Sequence, residues 1–162
     1  MDRKRETGKG RRIGVVSDTH GLVRPELLEA LSGVEMIIHA GDVGAAQVLE
    51  VLRAQAPVVA VRGNMDGGQW ARGLRQAEVI EIDGSLLYLL HDAHEIDLDP
   101  AAAGFQAVIS GHTHRPALYR RKGVLFLNPG SAGPRRFRLP VSAAILHLEG
   151  ESLEAELIEL KD

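Results

Sequence analysis

The sequence predicts a mixed α/β domain, a parallel half followed by a largely antiparallel half. Three observations carry that prediction. Short apolar, β-branched runs recur along the 162 residues, each stopped by a polar patch. The first three runs alternate with two segments of helical spacing, and a β-α-β-α-β order implies a parallel sheet with right-handed crossovers. The later runs are joined by Asp83-Gly84 and Lys122-Gly123, pairs that signal hairpins.

Each element has a local reason. Residues 12–17 read as a buried strand ended by polar residues. Residues 25–31 carry apolar side chains at helical spacing, with Pro25 suited to a first turn and Gly33 to a stop. Residues 35–40 form a second apolar strand, residues 45–54 a second helix, and residues 57–61 a third strand. Residues 78–82 and 85–90 make the first hairpin. Residues 97–104 are expected as a short helix and residues 107–110 as a buried strand ending at Gly111. Residues 117–121 and 124–127 make the second hairpin. Residues 142–148 and 153–160 flank a turn as a third, although 153–160 also suits a helix.

A chain of this length buries roughly 70% of the surface an unfolded chain exposes, and one domain over residues 12–162 is expected. Residues 1–11 are expected to form a flexible basic tail, since they carry Arg3, Lys4, Arg5, Lys9 and Arg11. The formal net charge of -3 argues against a general nucleic-acid binder. The absence of cysteine excludes disulfides and thiol catalysis, and fits a cytoplasmic setting. No segment reaches the ~20 apolar residues that span a bilayer, so no membrane association is expected.

Five short patches hold the chemistry: Asp18-Thr19-His20, Gly41-Asp42, Gly63-Asn64, His91 and Gly111-His112-Thr113-His114. Each follows an apolar run. In open α/β sheets, sites collect beyond the carboxyl ends of strands. Mixed oxygen and nitrogen donors drawn from distant positions suit a pair of borderline divalent metals. With Asp42 shared, Asp18, His20, Asp42 and His114 supply four ligands to one ion. Asp42, Asn64, His91 and His112 supply four to the other. Two such ions clamp a phosphate and generate hydroxide near neutral pH, so Asp42, Asn64 and His112 are expected to act in catalysis through it.

In their order, Asp-Thr-His-Gly (18–21), His-Ala-Gly-Asp (39–42), Gly-Asn-Met-Asp (63–66), His91, Gly-His-Thr-His (111–114) and Asn-Pro-Gly-Ser (128–131) resemble the small bacterial and archaeal calcineurin-like metallophosphoesterases. The resemblance implies two mixed β-sheets packed as a sandwich flanked by helices, in four αββα layers. It also implies two divalent ions, manganese first and zinc, iron, nickel or cobalt as alternatives. The implied reaction is hydrolysis of a small phosphodiester, with a dimer or tetramer as the implied assembly. A phosphomonoesterase is one alternative. Another is a non-catalytic scaffold, as in a retromer subunit of the same fold. Nucleic acid is expected only as a substrate.

Two departures from the family pattern matter. Met65 stands where larger relatives place a histidine after Gly-Asn, and it cannot transfer a proton. The leaving-group acid is therefore unassigned; Asp66 is a candidate and equally a turn-bracing carboxylate. His91-Asp92-Ala93-His94 replaces a His-Gly-His, making His94 the rival of His91. Asn64, Arg115 and Arg135 are the expected substrate contacts, with Arg136 and Arg138 nearby; exposed solvated arginines are the plainer expectation. His39 is expected as a buried, hydrogen-bonded histidine and His147 as structural. Residues 128–131 suit a supporting loop, with Ser131 alternatively touching phosphate. Trp70 suits either a cleft wall or a sheet-edge cover. Specificity is expected from the loops at 65–76 and 129–140.

Overall fold

The computed structural model describes residues 10–161. The expected tail therefore lies outside the described residues except for Gly10 and Arg11. The strands are β1 (Arg11–Val16), β2 (Met36–His39), β3 (Val58–Ala60), β4 (Ala77–Ile82), β5 (Ser85–Leu90), β6 (Ala107–Ile109), β7 (Ala117–Arg121), β8 (Val124–Asn128), β9 (Ser142–Glu149) and β10 (Ser152–Glu159). The α-helices among the described residues are α1 (Pro25–Ala30) and α2 (Ala46–Arg53).

Two five-stranded mixed sheets result, in the orders β10-β9-β1-β2-β3 and β4-β5-β6-β8-β7. In the first sheet β1, β2 and β3 run parallel, as expected. The C-terminal hairpin completes that sheet instead of the second, because β9 pairs antiparallel with β1. Residues 153–160 are strand, since β10 pairs with β9 from Ser152 to Glu159. The second sheet is less antiparallel than expected. Its centre, β5-β6-β8, is parallel, and only the edge strands β4 and β7 run antiparallel.

Side-chain alternation decides the layers. On β1, Ile13 and Val15 point between the sheets, where they meet Leu87, Leu89, Ile109, Leu127 and Leu146. Val16, with Ile37, Ala143 and Ile145, points outward against Leu27 and Leu31 of the α1 region and Val48, Leu49 and Leu52 of α2. Trp70 packs into this outer cluster and covers the sheet there. Burial of the Val, Leu and Ile side chains among them stabilises by about 1.5–3 kcal/mol each.

The outer face of the second sheet is covered differently. Its small cluster of Leu90, Val108 and Val124 lies under a segment of turns and a single 3-10 turn, Ala93–Glu95. The helix expected at residues 97–104 does not form. The Asp99 side chain accepts from the N–H groups of Ala101 and Ala102, and Gly104 adopts φ 88°, so the chain reverses after one turn. No helix among the described residues is long and apolar enough to cross a membrane.

Candidate metal centre

The parallel strands bring the five patches to one edge of the sandwich. Asp18 and His20 follow β1, Asp42 follows β2, Asn64 follows β3, His91 follows β5, and His112 and His114 follow β6. Asp18 Oδ1 lies 3.8 Å from His20 Nε2, 3.8 Å from His91 Nε2 and 3.4 Å from His114 Nε2. Asp42 Oδ2 lies 3.3 Å from His91 Nε2 and 3.7 Å from His20 Nε2. Two groups have donor atoms all within 4.8 Å of one another: Asp18, His20 and His114, and Asp18, Asp42 and His91. Asp18 belongs to both groups, and Asp42 Oδ2 faces one imidazole of each, His20 and His91. On the open side, Asn64 Oδ1 lies 3.3 Å from His112 Nδ1.

The backbone is bent to achieve this. Five of the eight described non-glycine residues with positive φ are Asp18, His20, Asp42, His112 and His114. That conformation is uncommon for residues with side chains and costs about 1 kcal/mol or more each. It persists because neighbouring loops interlock. A Cβ on Gly63 would lie 2.2 Å from both Asp42 N and Asp42 Oδ1; one on Gly111 would lie 1.9 Å from Ser17 Oγ. Those glycines let the Asn64 and His112 loops press against the Asp42 and Asp18 loops.

One oxygen of each carboxylate is fixed and the other is left aimed at imidazoles. Asp18 Oδ2 accepts from Ser17 Oγ at 2.6 Å and from the His112 N–H at 3.1 Å. Asp42 Oδ1 accepts from the Met65 N–H at 2.8 Å. Burial pushes the Asp42 carboxyl up, but His91, the Met65 N–H and the nearby His20 outweigh it and bring it down to about 2. Burial pushes Asp18 up as well, but the nearby His114, the Ser17 hydroxyl and the charges of His91 and His114 outweigh it and lower it. Both are therefore anionic at neutral pH. Burial pushes His91 down, yet Asp42, the Ala40 carbonyl and Asp18 prevail and raise it. A cation at this position competes with that proton.

Asp18 Oδ1, His20 Nε2, His91 Nε2 and His114 Nδ1 are buried without a hydrogen-bond partner. Unpaired buried polar atoms are costly; a cation among Asp18, His20 and His114 would satisfy Asp18 Oδ1 and His20 Nε2, and one among Asp18, Asp42 and His91 would satisfy His91 Nε2. The donor set and its orphaned atoms therefore fit a divalent metal. His94 sits apart. Its side chain is 88% exposed and its ring faces Asp92, whereas His91 is buried at the cluster.

The surrounding residues have definite partners. His39 is fully buried between Thr19 Oγ1 (3.0 Å) and the Gly41 N–H (3.1 Å), and Thr19 donates onward to the Val43 carbonyl. That chain of bonds suits a neutral imidazole protonated at Nε2, and burial lowers it to about 4. Asp66 accepts N–H bonds from Val43, Gly44 and Gly63, clasping the Asp42 loop to the Asn64 loop. Asn128 donates to the Gly111 carbonyl and Thr113 Oγ1, and Ser131 donates to the Asp18 carbonyl and accepts from Gly133. Residues 128–131 thus brace the loops that carry Asp18 and His112. Arg115 and Arg135 are exposed, the latter bonded to the Leu139 carbonyl. His147 pairs with Glu156 at 2.9 Å, remote from the cluster on β9.

Sequence reasoning did not single out Ser17 or Asp92. Ser17 orients Asp18, and Asp92 Oδ2 lies 3.8 Å from His112 Nε2. Their adjacency to Asp18 and His91 was the available signal.

An oxygen- and imidazole-rich cluster at the strand ends of a two-sheet sandwich is a candidate metal centre. Residues 12–151 match the calcineurin-like phosphoesterase superfamily domain, and the chain belongs to that family. It is 35% identical over 158 residues to a probable metallophosphoesterase of Methanothermobacter thermautotrophicus, covering 90% of this chain and 91% of the relative. It is 30% identical over 138 residues to a phosphodiesterase of Methanocaldococcus jannaschii, covering 74% and 82%. Among solved structures, an archaeal phosphodiesterase superposes with TM-score 0.75 at 26% identity, covering 91% of this chain and 99% of that one. Vacuolar protein sorting 29 from Cryptosporidium parvum shares the fold, with TM-score 0.76 at 18% identity, covering 95% and 100%.

Proposed function

We propose that the chain is a dinuclear-metal phosphodiesterase. Asp18, His20, Asp42 and His114 hold one divalent ion, and Asp42, Asn64, His91 and His112 hold the second, with manganese the preferred metal. The observation that carries this reading is the buried, unpartnered Asp18 Oδ1, with His20 Nε2 of one donor group and His91 Nε2 of the other each 3.8 Å from it and each facing Asp42 Oδ2. The phosphodiesterase relative supports the diester preference.

Two bound ions supply Lewis acidity and a nucleophilic water at neutral pH. The protein does the rest. The ionised Asp18 and Asp42 offset the cations' charge, and Ser17, Met65 and His112 backbone or hydroxyl groups hold those carboxylates in orientation. Asn64, neutral and exposed, presents a carbonyl oxygen on the open side. Arg115 meets a phosphate oxygen from beside His114. Asp66 is engaged with three backbone N–H groups, so it acts as a brace and leaves the departing oxygen without a side-chain acid. Substrates with acidic leaving groups are favoured accordingly.

The test is metal analysis together with hydrolysis of bis(4-nitrophenyl) phosphate in manganese. About two ions per chain and manganese-dependent turnover are expected. Folded protein that binds metal yet turns over no diester with any divalent ion sinks the enzymatic reading in favour of a scaffold. Faster turnover of 4-nitrophenyl phosphate than of the diester makes it a monoesterase.

A further inference from the structure

The outer face of the second sheet holds a cavity of about 720 Å³. Strand registers align Val79, Tyr88, Val108, Phe126 and Tyr119 in one row across β4, β5, β6, β8 and β7. The chain has three phenylalanines, two tyrosines and one tryptophan, and four of those six aromatics gather here. Tyr88 meets Phe105 edge-on. Tyr119 and Phe126 lie parallel, their planes 3° apart and centroids 5.2 Å apart. The Arg121 guanidinium carbon stands 5.5 Å from the Tyr119 ring and 5.9 Å from the Phe126 ring. Tyr119 is 46% exposed, so the platform is open to an occupant.

The cavity adjoins the metal centre. Gly111, Thr113 and Arg115, chain neighbours of His112 and His114, are part of its wall, as is Asp92, which stands 3.8 Å from His112. The segment containing Ile96 and Ala101 closes it from above. This volume is in the range that holds one small ligand. Parallel rings flanked by a guanidinium form a stacking surface for a flat heteroaromatic group. Arg115, Arg121 and Lys122 add positive charge suited to an attached phosphate.

We infer that this cavity receives the base of a nucleoside phosphodiester, whose phosphate lies at the ligand cluster with Arg115 between the two. The inference rests on the phosphodiesterase reading and names its substrate class. A cover by a second copy of the chain is the competing use of the same face.

The experiment is an NMR titration of the full chain, in magnesium, with adenosine 5′-monophosphate and separately with ribose 5-phosphate. Saturable shifts at Tyr119, Phe126 and Arg115 with the nucleotide are expected, and about tenfold weaker binding by the base-free sugar phosphate. Tyr119→Ser should lower nucleotide affinity about tenfold, and Tyr119→Phe should restore it. Equal affinity for both compounds, or shifts absent from Tyr119 and Phe126, overturns the inference. So does a dimer in sedimentation that Tyr119→Ser dissociates, which assigns the face to self-association. Because binding is read without turnover, nucleotide shifts in a chain that hydrolyses no diester sink the phosphodiesterase reading alone.

Discussion

The two sheets have the same number of strands and share one interior, yet they differ at their ends and on their outer faces. The first sheet delivers every oxygen donor, Asp18, Asp42 and Asn64, from three adjacent parallel strands. The second delivers three imidazoles, His91, His112 and His114. The first is sealed outside by helices, the second by turns that leave a cavity. The difference teaches that one sheet fixes charge in a rigid, helix-backed frame. The other leaves space for the part of a substrate that distinguishes one ester from another.

The largest effect expected on this contrast is at the first sheet. Asp42→Ala should reduce metal affinity and turnover by more than the 10–100-fold that outer-shell changes cost. Full activity in that variant would disprove its bridging position. Asp66→Asn should cost about 1–3 kcal/mol, since an amide nitrogen would face backbone N–H donors. It should slow acidic and poor leaving groups alike; a loss confined to poor ones would make Asp66 the acid after all.

Glycines provide a matched pair. Gly63→Ala should destabilise by about 1–3 kcal/mol, as its Cβ meets Asp42, while Gly73→Ala, with open space around it, should stay within about 0.5 kcal/mol. Equal melting temperatures would show that the ligand loops are not tightly interlocked.

His39 gives a pH signature. Its folded value of about 4 lies below the ordinary 6.5, so its contribution is complete above pH 6.5 and is lost as pH falls toward 4, by about 3 kcal/mol at most. His39→Gln should flatten that part of the stability profile in denaturant titrations; an unchanged profile assigns the acid loss elsewhere. The smallest effect is expected from His147→Ala, whose exposed pairing with Glu156 is worth under about 1 kcal/mol, with turnover unchanged. A large loss of turnover there would mean that the site extends to β9.

Much of this was legible in the sequence because it depends on local signals. The runs that became β1 to β3 and their helices announced themselves by periodicity. The Asp83-Gly84 and Lys122-Gly123 turns did so through their glycines, and all four residues adopt positive φ. The candidate ligand patches were legible because each ends a strand. What was hidden depends on distant partners. Nothing within residues 142–149 says that β9 pairs with β1, some 130 positions earlier. Residues 153–160 are a strand only because β9 lies alongside. The segment 97–104 has helical composition, but Pro100 and Gly104 leave room for one turn. The second role of Asp18 beside both groups, and the clasp made by Asp66, exist only once the loops meet.

The left-handed backbone at Asp18, His20, Asp42, His112 and His114 has a consequence for transplanting this centre. A peptide carrying Asp-Thr-His-Gly or Gly-His-Thr-His relaxes to the commoner right-handed or extended conformations, and its side chains diverge. Copying the motifs onto another scaffold therefore copies the donors without their directions. A graft that works must also carry the contacts that lock the turns: the small residues at 63 and 111, the Asp66 clasp and the Asn128 brace.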